Sequence, residues 1–103
     1  MPATFNVRIT KSAERDIEDI WSFIASDDME EAVKFVDRLD KQLRTLRAFP
    51  ERCPLIAENE ILGTRYRHLV YGNYRTIFRV SGRNVYVLRV IHAARLLERL
   101  VIE

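Results

Sequence analysis

Residues 71–92 read YGNYRTIFRVSGRNVYVLRVIH, and the fold turns on how they are parsed. Val, Ile, Tyr and Phe dominate, and two short polar breaks, Gly72-Asn73 and Ser81-Gly82-Arg83-Asn84, interrupt the runs. Branched and aromatic residues bounded by Gly/Asn pairs predict strands joined by hairpin turns. Three strands follow: Arg65–Tyr71, Tyr74–Val80 and Val85–His92. Arg75, Arg79, Arg83 and Arg89 sit in this stretch without one acidic residue beside them. Guanidinium groups in a core sheet need partners inside the protein or outside it.

Hairpin parity predicts where they point, because paired residues share a face. With Tyr71 opposite Tyr74 and Val80 opposite Val85, one face carries Leu69, Tyr74, Thr76, Phe78, Val80, Val85, Val87 and Ile91, with Arg65, Arg67 and Arg89. The other carries Tyr66, His68, Val70, Arg75, Ile77, Arg79, Tyr86, Leu88, Val90 and His92. The more apolar face is expected under helices and the Tyr/His/Arg face open. A bulge would shift this parity by one residue.

Upstream of the strands, residues 4–9 alternate as a short strand, and Thr10 is the expected N-cap of a helix, with Ser12 as the fallback. Ala13, Ile17, Ile20, Trp21, Phe23 and Ile24 share a helical face. Asp16 falls on that apolar side and Arg89 on the buried side of the sheet, so the two are expected to pair. After Asp28, a second helix runs to about Ala48, with the stripe Met29, Ala32, Phe35, Val36, Leu39, Leu43 and Leu46. So short a break between helices predicts a helical hairpin. Pro50 and Pro54 open a loop that Gly63 closes. The expected fold is one α+β domain, 1–103, in the order β-α-α-β-β-β, with the helical hairpin on one face of an antiparallel sheet.

Composition bounds the function. One cysteine, Cys53, excludes a disulfide framework, and a reducing, cytoplasmic setting is the default. No run approaches a membrane span. The net charge of +2 conceals an asymmetry. Residues 1–51 hold 8 Lys/Arg against 11 Asp/Glu, whereas 52–103 hold 9 Arg against 4 acids. Arginine grips carboxylate or phosphate with a planar fork, so an anionic partner is one reading of the basic half and a sheet resting on acidic helices is another. His68, Arg75, Arg79 and His92 have the chemistry for phosphodiester cleavage, with histidines moving protons and arginines stabilising charge. The same residues, with Tyr66 and Tyr86, fit a solvated sheet face with cross-strand cation–π pairs best, a protein-binding surface next and the nuclease reading last. Two histidines without nearby acids lack a metal ligand set, and no cofactor motif is present. At +2 the chain has little drive for direct DNA binding.

The pattern Gly63-x-Arg65…Gly72-Asn73-Tyr74-Arg75-x-Ile77-x-Arg79-Val80…Val87-Leu88-Arg89-Val90-x-His92-x-x-Arg95 resembles the ParE/RelE superfamily of toxin–antitoxin toxins. Thr10-x-x-Ala13-x-x-Asp16-Ile17-x-x-Ile20 and Phe49-Pro50 resemble its helical half. The resemblance implies a small toxin held inactive by a cognate antitoxin. RelE-like members are ribosome-dependent mRNA endonucleases, whereas ParE-like members poison DNA gyrase with no established catalytic residues. Arg75 matches the sheet arginine of the nuclease branch. Tyr66 and His68, however, stand where lysines are usual, Ala93 stands where a post-strand arginine is expected, and the tail has Arg99 rather than a tyrosine. His92 and Arg95 match a C-terminal His-x-x-Arg pattern, and the ParE-like branch is favoured. If the chain were a nuclease, His68, Arg75, Arg79, His92 and Arg95 would be its candidates. As a binding protein it would use Tyr66, His68, Arg75, Arg79, Tyr86, His92 and Arg95. The implied partners are a ParD-like antitoxin, with a helix on the hairpin and an acidic or extended segment at the arginines, and DNA gyrase.

Overall fold

The computed structural model describes residues 4–97. Strand β1 (Asn6–Ile9) leads into α1 (Lys11–Ala25) and α2 (Met29–Arg44). Two 3₁₀ turns (Thr45–Arg47 and Pro50–Arg52) and a one-turn helix α3 (Asn59–Leu62) follow, then β2 (Arg67–Tyr71), β3 (Tyr74–Ser81) and β4 (Asn84–His92). The chain is therefore α+β with a helical hairpin against a four-stranded sheet, with short helical turns where a plain loop was expected over 50–64.

Local chemistry fixes the helix ends. Thr10 Oγ1 accepts a hydrogen bond from the Ala13 N–H at 3.2 Å, capping α1. Asp28 Oδ1 does the same for the Glu31 N–H and caps α2. Gly63 ends α3 at φ +67°, a left-handed conformation that glycine adopts without steric cost.

The strand order is β1-β4-β3-β2. The three C-terminal strands form the expected antiparallel meander. By contrast, β1 joins β4 in parallel, Asn6 beside Asn84 through Ile9 beside Val87, so the sheet is mixed. Hairpin logic reaches only neighbours in sequence, and β1 meets β4 across the whole length of the fold.

A bulge in β4 is the second difference. Phe78 faces Val87 but Ile77 faces Arg89, leaving Leu88 as the extra residue. Beyond it Val90, Ile91 and His92 change side. Val90 enters the main core with Ala13, Leu39, Leu43, Leu46, Phe78, Val85 and Val87. Ile91 joins a second cluster on the opposite face, with Ile56, Ile77 and Leu97. The parity count had these two reversed, because it assumed an unbroken register.

The helical stripes are also narrower than the periodicity suggested. On α1, Ala13, Ile17 and Ile20 pack on the core, whereas Phe23 is 72% exposed. On α2, Ala32 and Leu39 are buried and Phe35 half-buried, while Met29, Val33 and Val36 stay exposed.

Candidate functional site

The face of the sheet away from the hairpin divides into two ends. At one end, Arg75 is only 5% exposed, so the expectation of an open surface there is corrected. It is sealed by the 56–66 segment and by 93–97, not by the hairpin. Arg75 pairs with Glu58 through its two terminal nitrogens, Nη1 and Nη2, and Nη2 also donates to the Arg95 carbonyl at 2.8 Å. Glu58 in turn accepts the Leu97 N–H at 2.9 Å. The ion pair thus clamps the C-terminal segment at two backbone atoms and places Leu97 over Ile56, Ile77 and Ile91. The Nε of Arg75 is buried without a partner.

His68 is tied into the same cluster, its Nδ1 3.2 Å from Arg75 Nη1. Since a guanidinium only donates, Nδ1 accepts and the ring proton sits on Nε2. Burial, and then the Arg75 charge, hold the His68 pKa below its ordinary value. The Arg75 hydrogen bond, working against burial, pulls the Glu58 carboxyl down to about 2.

The other end is open. A cleft of about 480 Å³ is lined by Arg8, Ile9, Thr10, Tyr66, Arg79, Tyr86 and Leu88. Arg79 is exposed, with its guanidinium carbon 4.3 Å from the Tyr86 ring centroid. Tyr66 is positioned by Asn59, whose side chain donates to the Tyr66 carbonyl and accepts its N–H, both at 2.9 Å.

The remaining candidates lie elsewhere. The bulge carries His92 to the hairpin side, where it stands opposite Tyr74 with ring centroids 5.9 Å apart. Its Nδ1 accepts the Ala94 N–H at 3.1 Å. Arg95 is exposed on the turn after β4. His68 and Arg75 are therefore brought together, with the Arg95 backbone beside them, while Arg79 and His92 lie apart from them. Arg99 lies outside the described residues. Asp16 and Arg89 do meet, with Nε–Oδ2 at 2.6 Å and Nη2–Oδ1 at 2.9 Å. Asp16 Oδ2 also accepts the Val90 N–H at 2.9 Å. Among the described residues, no group of three or more His, Cys, Asp or Glu side chains is placed to hold a metal ion. No helix among them is long and apolar enough to cross a membrane.

Sequence reasoning missed Glu58 and Arg8. A count of acids offered a signal for the first, since Glu58 and Glu60 are the only two between Arg52 and Leu97. The parallel placement of β1 left no such signal for Arg8.

Residues 7–97 match the family described as the ParE toxin of the type II toxin–antitoxin system, parDE. The chain belongs to the ParE toxin family. A chain from the chromosomal ParDE TA system of P. aeruginosa shares its fold, with a TM-score of 0.68 at 22% identity over 87% of this chain and 97% of that one. No curated protein matches the sequence. Within the ParE fold, the buried Glu58–Arg75 clamp and the open Arg8–Tyr86–Arg79 cleft occupy opposite ends of one sheet face.

Proposed function

We propose that this ParE-family chain is a toxin that inhibits DNA gyrase by binding rather than catalysis, and that a ParD-like antitoxin neutralises it. Family membership supports the toxin reading. The observation that carries the non-catalytic reading is the dispersal of the nuclease candidates. Arg75 is sealed in an ion pair, His68 lends its Nδ1 lone pair to that same arginine, and His92 faces the hairpin side. A base, an acid and a free cation do not converge on one reacting phosphate, as RNA cleavage requires.

The need for a protein partner is supported by the helical hairpin. Met29, Val33 and Val36 recur at i, i+4 and i+7 on α2 and remain exposed, with Phe23 exposed on α1. A second apolar stripe beside the buried one suits an amphipathic partner helix. Arg79, His92 and Arg95 are the exposed members of the partner-binding set, and Tyr66, His68 and Tyr86 are half-buried. Action on gyrase places the protein in the cytoplasm.

Two assays separate the readings. In a gyrase supercoiling reaction the purified protein is expected to inhibit supercoiling and trap cleaved DNA. In a translating extract it is expected to leave mRNA intact. Codon-phased mRNA cuts without any effect on gyrase would overturn the proposal in favour of a RelE-like ribonuclease.

A further inference from the structure

The open cleft is built on one cross-strand row. Arg8 of β1 stands beside Tyr86 of β4, which stands beside Arg79 of β3. Two guanidiniums thus flank one tyrosine, their Cα atoms about 10 Å apart across two strand spacings. Arg79 lies over the Tyr86 ring, and Arg8 Nε donates to Asn84 Oδ1 at 3.2 Å. Neither arginine has a carboxylate partner among the described residues. Elsewhere on the sheet, Arg75 and Arg89 each have one. Leu88 and Ile9 supply apolar floor beside the row, and Tyr66 closes the far wall.

We propose that this cleft docks an extended acidic segment of a protein partner, with one carboxylate on each of Arg8 and Arg79 and an apolar side chain over Leu88. Stacking on Tyr86 and bonding to Asn84 restrict both arginines before binding, which lowers the ordering cost of a forked carboxylate contact. The same stacking argues against a nucleotide, because the guanidinium already covers the Tyr86 face on which a base would lie. The apolar floor gives a Leu-type side chain something to cover and offers nothing to a sugar–phosphate chain. This inference rests on the reading that a protein partner meets the arginines of the sheet and narrows it to this cleft; its test is read without gyrase, so its failure is distinct from a failure of the gyrase reading.

The experiment is an NMR titration of the ¹⁵N-labelled full chain at low salt with the peptide acetyl-Glu-Ser-Leu-Ser-Glu-amide, whose Glu, Leu and Glu side chains share one face when extended. Saturable shifts are expected at the amides of Arg8, Tyr66, Arg79, Tyr86 and Leu88. Arg8→Ala and Arg79→Ala should each weaken binding roughly fivefold or more, as loss of one charge-assisted contact implies. Arg83→Ala, on the exposed turn outside the cleft, should leave it unchanged, and a Gln version of the peptide should not bind. Shifts spread over all exposed arginines, or binding indifferent to Arg8 and Arg79, would overturn the proposal. So would adenosine monophosphate moving the same amides at lower concentration than the peptide, or no shifts at all.

Discussion

Glu58 has the largest task of any single residue in the second half of the chain. It neutralises a buried guanidinium and holds the Leu97 N–H. Its carboxyl titrates near 2 when folded, against an ordinary 4.5. The unfolded chain therefore takes up this proton first as pH falls. The stabilisation is complete above about 4.5 and is lost between there and about 2. His68 adds an earlier loss, because burial and Arg75 hold it below its ordinary 6.5, so stability starts to decline as pH drops through that value. Urea midpoints measured from pH 8 to pH 3 should fall in these two stages. Glu58→Gln should cost about 3–5 kcal/mol at pH 7, typical for removing one partner of a buried pair, and should flatten the acid stage. An acid stage unchanged in the variant would refute this assignment. At the same scale, Asp16, Arg89 and Arg75 were legible as residues needing partners, since charge in an apolar pattern stands out. Asp16 does pair with Arg89 as expected, although the bulge interrupts the parity on which that expectation stood; the pairing of Arg75 with Glu58 was not foreseen, because a loop acid carries no periodicity.

Among the elements, β1 and α1 matter most for the exposed margin of β4. β1 stops at Ile9, opposite Val87, and leaves the rest of β4 without a strand on that side. Two side chains take over where the ladder ends. Thr10 Oγ1 donates toward the Val87 carbonyl at 2.9 Å, and the Asp16 carboxylate accepts the Val90 N–H. The N-terminal half of α1 thus finishes the sheet with side-chain hydrogen bonds, which leaves less bare edge for another chain to pair with. The hydrogen bond from Arg89 to Asp16, offset by burial, raises the Arg89 pKa. Asp16→Ala should cost about 3 kcal/mol, since it strands a mostly buried guanidinium and frees a strand N–H. Urea unfolding measures the loss, and size-exclusion chromatography should show new self-association through the freed edge. A variant of wild-type stability would mean that water serves both donors as well as Asp16 does. Element types were readable from periodicity and capping residues, Thr10 and Asp28 included. The bulge was not, because an extra residue in a run such as Val87-Leu88-Arg89-Val90 leaves the composition of the strand unchanged.

At the scale of the whole molecule, two surfaces stand out among the described residues: the outer stripe of the hairpin and the basic cleft on the far side of the sheet. Both sit on the α+β frame, one on α2 and the other across β1, β4 and β3. Val33→Asp changes an exposed residue, so the melting temperature should stay within a degree or two, as is usual for surface substitutions. The same change should weaken co-purification of a co-expressed antitoxin by tenfold or more. Retained complex would move the antitoxin helix off this stripe. The sequence by itself determined the kinds and order of the main helices and strands, the hairpins and the charged residues that had to be paired. These are set by periodicity, capping and the cost of burying charge, all of which act within a few residues. Only the tertiary structure decided that β1 runs parallel beside β4, that Leu88 shifts the register, and that Arg75 is sealed while Arg79 is open. Each of these depends on contacts between segments far apart in the chain, where packing outweighs local preference.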